Sequence, residues 1–264
     1  MRNKIILAAT AWFLVSIVAG CAPRVVAPPP PGWIVTAPPE EVLARTFRAG
    51  PEDQILRTRA RFTAESEQGR FSAGIFVFAR RPADLRIESL SMIGLPELIL
   101  TVNNRALKIF VAKERKFYIG SPDESLSRFF PILLDAHEAV SLMMGFPPAL
   151  RMSRMTLEGR MDQGSYRIDF FSGGTRMQTL WIDPSRLELV KVEKWAGDKR
   201  LYTAVLEAYR EVDGRKLPGR IEFRFENPRK LKLTLRFSES EWSSEGDELF
   251  DLEAPEGMEK VYLD

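Results

Sequence analysis

A strict period of two constrains this chain more than any other feature. Between Arg220 and Glu226, the apolar Ile221, Phe223 and Phe225 alternate with Arg220, Glu222, Arg224 and Glu226. In an extended backbone that pattern puts the apolar set on one face and the charged set on the other. Leu231, Leu233, Leu235 and Phe237 repeat it against Lys230, Lys232, Thr234 and Arg236, with Asn227-Pro228 as the turn between the two runs. Tyr166, Ile168 and Phe170 alternate in the same way with Ser165, Arg167 and Asp169. Further runs over 55–66, 70–79, 84–91, 97–103, 106–112, 154–161, 176–182, 187–195 and 200–211 bring the expectation to about eleven strands, mostly antiparallel and joined by short connections. One-sided alternation predicts a single large curved sheet with one wet face and one dry face.

The dry face needs a cover, and the strong helical pattern lies between Ser121 and Gly145. Ser121-Pro122-Asp123-Glu124 reads as a capping box with proline at the first helical position, leading into Leu126, Phe129, Phe130, Leu133 and Leu134. Pro131 should kink or end that helix. Asp135-Ala136-His137-Glu138 then reads as a second helix start, followed by Val140, Leu142, Met143 and Met144, with Gly145 as the stop. The large side chains of this broken plug suit plain core packing. The alternative is that they line a cavity for an acyl chain, where methionine tolerates imperfect fit.

Composition removes most competing functions. Apolar residues make up 45% and charged residues 28% of the 264, which excludes a disordered or fibrous chain for most of the length. Arg2 and Lys4 account for the net charge of +2, so the chain from Cys21 onward is neutral, a poor start for binding nucleic acid. Cys21 is the only cysteine and His137 the only histidine. A disulfide framework, a Cys/His zinc site and most nucleophile–histidine chemistries are thereby excluded. His137, in a capping turn, is expected at the surface. Gly173-Gly174 reads as a hairpin turn rather than a phosphate loop, and Arg57, Arg59 and Arg61 as a solvated stripe. No catalytic residue, metal or cofactor is expected, and the chain reads as a binding protein rather than an enzyme.

The N-terminus reads as an address. Arg2 and Lys4 precede the apolar run Ile5–Val18, which matches a secretory signal peptide over residues 1–20. Val18-Ala19-Gly20-Cys21 resembles the lipobox of bacterial lipoproteins, which implies acylation of Cys21. Two or three acyl chains, each CH₂ worth about 0.8 kcal/mol on burial, would anchor the chain stably. Ala22 at the next position resembles the outer-membrane default of such proteins. Residues 21–40, with Pro23, Pro28–Pro31, Pro38 and Pro39, read as an extended tether, with Trp33 and Ile34 as points that dock on the domain or on the membrane. The folded domain is expected over residues 41–264.

Between Ser91 and Pro148 the chain resembles a known family. Ser91-Met92-Ile93-Gly94, the strand from Glu97 to Val102, the Asn103-Asn104 turn, the strand from Leu107 to Val111, Lys116-Phe117-Tyr118, the two-part helix and Leu142-Met143-Met144-Gly145-Phe146-Pro147 together resemble the outer-membrane lipoprotein receptor LolB. Phe250-Asp251-Leu252 and Pro255-Glu256-Gly257 are similar to the end of related carrier domains, whereas the tail from Trp242 to Asp264 is longer than the family's. The resemblance implies a mainly β fold, an unclosed antiparallel barrel of about eleven strands plugged by helices around an acyl-chain cavity. It implies that Leu126, Phe129, Phe130, Leu133, Leu142, Met143 and Phe146 line that cavity, and that Ile93, with Leu95, forms a loop that touches the membrane; either side chain folded back into the core is the competing possibility. The implied partners are acylated lipoproteins or lipid, a periplasmic carrier and the outer membrane, with the protein anchored there and facing the periplasm. The same fold also serves envelope sensors and structural lipoproteins as a protein-interaction module.

Overall fold

The computed structural model describes residues 31–47, 53–122, 134–148, 155–226, 230–244 and 246–263. The alternating runs become strands β1 (Ile55–Ser66), β2 (Gly69–Arg80), β3 (Asp84–Leu90), β4 (Pro96–Val102), β5 (Leu107–Val111) and β6 (Lys116–Gly120) in the first half. The second half contributes β7 (Thr156–Asp162), β8 (Ser165–Ser172), β9 (Thr175–Asp183), β10 (Glu188–Ala196), β11 (Lys199–Glu207), β12 (Arg210–Val212) and β13 (Arg215–Leu217). It ends with β14 (Arg220–Phe225), β15 (Leu231–Ser243) and β16 (Glu259–Tyr262). Fourteen of these form one sheet in the order β16-β6-β5-β4-β3-β2-β1-β15-β14-β11-β10-β9-β8-β7, and β12 and β13 form a separate hairpin. Neighbours pair antiparallel except β16, which runs parallel to β6. The two end strands do not pair with each other, so the sheet is large and unclosed.

The sixteen strands among the described residues correct the expected eleven or so. The run 200–211 splits into β11 and β12 because Ala208 takes a φ of +54. β13 and β16 are too short for a period of two to stand out from chance. β15 extends six residues beyond Phe237 and carries Trp242. Gly173 and Gly174, at φ +55 and +80, make the tight turn between β8 and β9.

The inward phase of each strand is apolar, as the alternation requires. Ile221, Phe223, Phe225, Tyr166, Ile168, Phe170, Leu180 and Val192 are all buried in one continuous core. The outward phase is drier than expected, and Asp169 is the clearest departure: it is only 1% exposed. Neighbours on its own strand and on the two adjoining strands roof it over. The Arg167 guanidinium donates to Oδ1 at 2.8 Å, Thr179 Oγ1 donates to the same oxygen at 2.8 Å, and Arg160 reaches Oδ2 at 3.2 Å. A buried carboxylate so surrounded keeps its hydrogen bonds while leaving bulk water.

Three helices cover the inner face among the described residues. α1 (Gly32–Thr36) and α2 (Pro39–Thr46) occupy the end of the stretch expected as an extended tether. Proline at the first position of α2 favours a helix start, and fully buried Ile34 and Val42 join the main core. Tyr166 Oη donates to the Ala37 carbonyl at 2.7 Å and ties this segment to the sheet. α3 (Ala136–Met143) is capped by Asp135, whose Oδ1 accepts the Glu138 N–H at 2.8 Å, and Gly145 ends it at φ +76. The C-terminal tail crosses the outer face. A 3-10 turn over Asp247–Phe250 buries Phe250 against Ile55 and Phe78, with the Arg80 guanidinium 5.0 Å above its ring.

Candidate functional site

At the end of the sheet where β1 turns into β2, the inner face leaves apolar side chains in partial contact with solvent. Phe62, Ala64, Ala73, Ile87 and Leu98 pack on the core without being fully enclosed. Phe71 is 62% exposed, its ring 6.4 Å from that of Phe62. The pairing of Ser89 with Ile75 brings the β3–β4 loop, residues 91–95, to this same end. The loop is pinned by its own hydrogen bonds: Ser91 N–H to the Leu95 carbonyl at 2.8 Å, Gly94 N–H to the Ser91 carbonyl at 3.0 Å, and Leu95 N–H to Ser91 Oγ at 3.1 Å. Gly94 supplies the positive φ that the turn requires. Met92, Ile93 and Leu95 therefore stand outward on a fixed backbone, Ile93 at 81% exposure and Leu95 at 61%. Several exposed apolar side chains at one end of a molecule mark a contact surface for something apolar.

The residues expected to line a cavity separate. Leu142 and Met143 are buried on α3 within the core, whereas Phe146 is half-buried beyond the helix end, 6.2 Å from the Phe47 ring and under the Arg81 guanidinium at 4.6 Å. Leu126, Phe129, Phe130 and Leu133 lie outside the described residues, as does Cys21. His137 is exposed on α3. Arg57 and Arg59 stand on the outer face over Phe78 and Phe76 and face Glu241 and Glu239, and Arg61 is exposed beside them.

A polar cluster inside the inner face went unread in the sequence. Glu138, on the sheet-facing side of α3, receives Lys194 Nζ at 2.7 Å. Lys194 pairs across strands with Tyr202 and with Gln178, both buried. Burial raises the Glu138 carboxyl above its ordinary range against the opposing pull of Lys194, and burial with the negative charge of Glu138 raises the Tyr202 phenol well above its own. The signal was available: Gln178 is in phase with Leu180 and Ile182, Lys194 with Val192, and Tyr202 with Ala204 and Leu206. Polar residues on the dry phase of a strand declare that something polar must meet them inside.

An unclosed sheet of this size, with its inner face covered by short helices, has counterparts among solved structures. A LolA superfamily protein from Nitrosomonas europaea matches with a TM-score of 0.57, covering 81% of this chain and 97% of its own at 12% identity. The chain has the LolA-type fold. A putative outer membrane lipoprotein-sorting protein domain from Vibrio parahaemolyticus shares this fold at a TM-score of 0.56 and 9% identity, over 80% of this chain and 94% of that one. A DUF1329 family protein from Desulfovibrio piger does so at 0.56 and 7%, over 80% and 95%. No family model and no curated protein matches the sequence, so the LolA-type likeness is one of backbone architecture. Among the described residues no helix is long and apolar enough to cross a membrane.

Proposed function

We propose that this chain is a lipid-anchored envelope protein that takes the acyl chains of lipoproteins onto its inner face and delivers them to the outer membrane. The observation that carries this reading is the gathering, at one end of the sheet, of the partly exposed Phe62 and Phe71 and the pinned, outward-facing Met92, Ile93 and Leu95. The LolA-type fold and the neighbour titled as a lipoprotein-sorting domain support it. The inner-face side chains offer acyl chains an apolar wall, and the loop offers a lipid surface its exposed apolar tips. The mechanism is binding, not bond chemistry. Transfer runs downhill when the inner face holds acyl chains more tightly than the upstream periplasmic carrier, and the membrane more tightly than the inner face. In this reading residues 1–20 are the signal peptide, Cys21 is the acylated residue, and the chain faces the periplasm.

The second reading, an envelope sensor or structural lipoprotein that uses the fold to bind protein, is favoured by one observation. Leu142 and Met143 are packed into the core with Ile34 and Val42, so that part of the inner face is already filled. Transfer of a labelled triacylated lipoprotein from a soluble carrier to liposomes separates the two. The delivery reading expects transfer by the parent and its loss in Ile93→Glu. Binding without transfer in both proteins identifies a lipid sensor, and no binding leaves the protein-interaction module.

A further inference from the structure

At the end of the sheet opposite the 91–95 loop lies a cavity of about 320 Å³, walled by the ends of α2, α3, β2 and β15 and by the β12–β13 turn. Its walls combine cationic and aromatic side chains. Of its four cations, two are already neutralised: Arg45 by Glu41 at 2.6 Å, and Lys216 by Glu188 at 3.1 Å. Among the described residues, the other two have no carboxylate within ion-pair distance. Arg215 lies over the Trp242 ring at 4.3 Å and donates to the neutral Gln54 Oε1 at 2.5 Å. Arg81 lies over the Phe146 ring, and its Nη1 is buried with no hydrogen-bond partner among the described residues. Both side chains are half-buried, and each presents its planar positive fork at the cavity wall.

Two further residues of the same wall carry buried polar atoms with no partner among the described residues: Trp242 Nε1 and Thr46 Oγ1. These two atoms are closed off from solvent, so the polar face that a ligand meets is that of the two guanidiniums, which together suit an oxyanion. The remainder of the wall is apolar or aromatic, with Phe47, Phe146, Leu217 and Tyr209. Tyr209 is held in place by donating to the Leu189 carbonyl at 2.7 Å, and burial beside Glu188 keeps it a phenol. Gly145 leaves the room Tyr209 occupies, since a Cβ there would approach its ring within 3.3 Å.

We infer that this cavity binds a small ligand with an oxyanion head and a compact apolar body, the head between Arg81 and Arg215 and the body against Phe47 and Phe146. The volume sits at the small end of ligand pockets, which favours a single ring or short branched chain over a long acyl tail. The inference is independent of the lipoprotein-delivery reading, because it uses the other end of the molecule.

Isothermal titration of the full chain in detergent micelles tests it, with phenyl phosphate, phenylacetate and inorganic phosphate as probes. Saturable binding of phenyl phosphate or phenylacetate is expected, at least tenfold tighter than inorganic phosphate, and the better of the two names the head group. Arg81→Gln and Arg215→Gln should each weaken that binding tenfold or more, while Arg61→Gln, an exposed arginine of the outer face, should leave it unchanged. Arg81→Lys keeps the positive charge and should retain more of that binding than Arg81→Gln, which separates loss of charge from misfolding in the arginine variants. Absence of saturable binding by both aromatic probes overturns the inference. So does binding that survives both arginine substitutions, or inorganic phosphate binding as tightly as phenyl phosphate.

Discussion

A Cβ at Gly159, on β7, would run into the Tyr166 hydroxyl and the adjoining ring carbon. That hydroxyl is the one that holds Ala37 between α1 and α2, so the glycine protects the joint between the N-terminal helices and the sheet. Gly159→Ala is expected to cost about 2 kcal/mol through overpacking. Combining it with Tyr166→Phe should cost less than the two changes added, because the phenylalanine removes the nearest clashing atom; urea unfolding of the two single variants and the double variant measures this. At Glu138 the residue scale becomes pH dependence. Burial raises the carboxyl above its ordinary value of 4.5, so the folded chain holds that proton more tightly than the unfolded chain. The stability this contributes is complete below the unfolded value and is lost as pH rises through the folded one. Glu138→Gln should therefore flatten the decline of melting temperature with rising pH over that window, recorded by thermal unfolding in a buffer series. An unchanged slope would assign it to other groups.

Among the elements, the C-terminal strap offers the sharpest expectation. Phe250 is buried between Ile55 and Phe78 on the outer face, and the strap is held there by Arg86 donating to the Leu249 carbonyl at 2.9 Å and Asn103 Nδ2 to the Phe250 carbonyl at 3.1 Å. Phe250→Ala should cost about 3 kcal/mol. It should also expose the strap to limited proteolysis near Asp251 before the sheet itself opens. The strap was hard to foresee. Phe250 is an isolated aromatic in an acidic segment, and its pocket is made by Ile55 and Phe78, which stand on the phase of β1 and β2 that alternation assigns to water. The bounds of β1 were legible to the residue, since Leu56, Ala60, Phe62 and Ala64 alternate with Arg57, Arg59, Arg61 and Glu65. The Asp135 cap and the Gly145 stop were equally legible, because each acts through local backbone geometry. The burial of Asp169, the pairing of Lys194 with Glu138 and the cavity between Arg81 and Arg215 depend on strand order, which no local pattern encodes.

On the scale of the whole molecule the two ends differ in chemistry. One presents Phe71, Met92, Ile93 and Leu95 to solvent; the other gathers Arg81 and Arg215 around aromatic rings. Because the 91–95 loop is held by backbone hydrogen bonds rather than by its apolar side chains, Ile93→Glu should change folding stability by less than about 0.5 kcal/mol. Loss of liposome transfer with an unchanged unfolding curve would place the effect on contact with the membrane; a lowered midpoint would assign it to the fold. A closed barrel has its girth fixed by the number and stagger of its strands, and enlarging it means breaking a ladder. Here β7 and β16 end the sheet without pairing to each other, so no ladder fixes its girth, and its curvature can change while every strand keeps its neighbours.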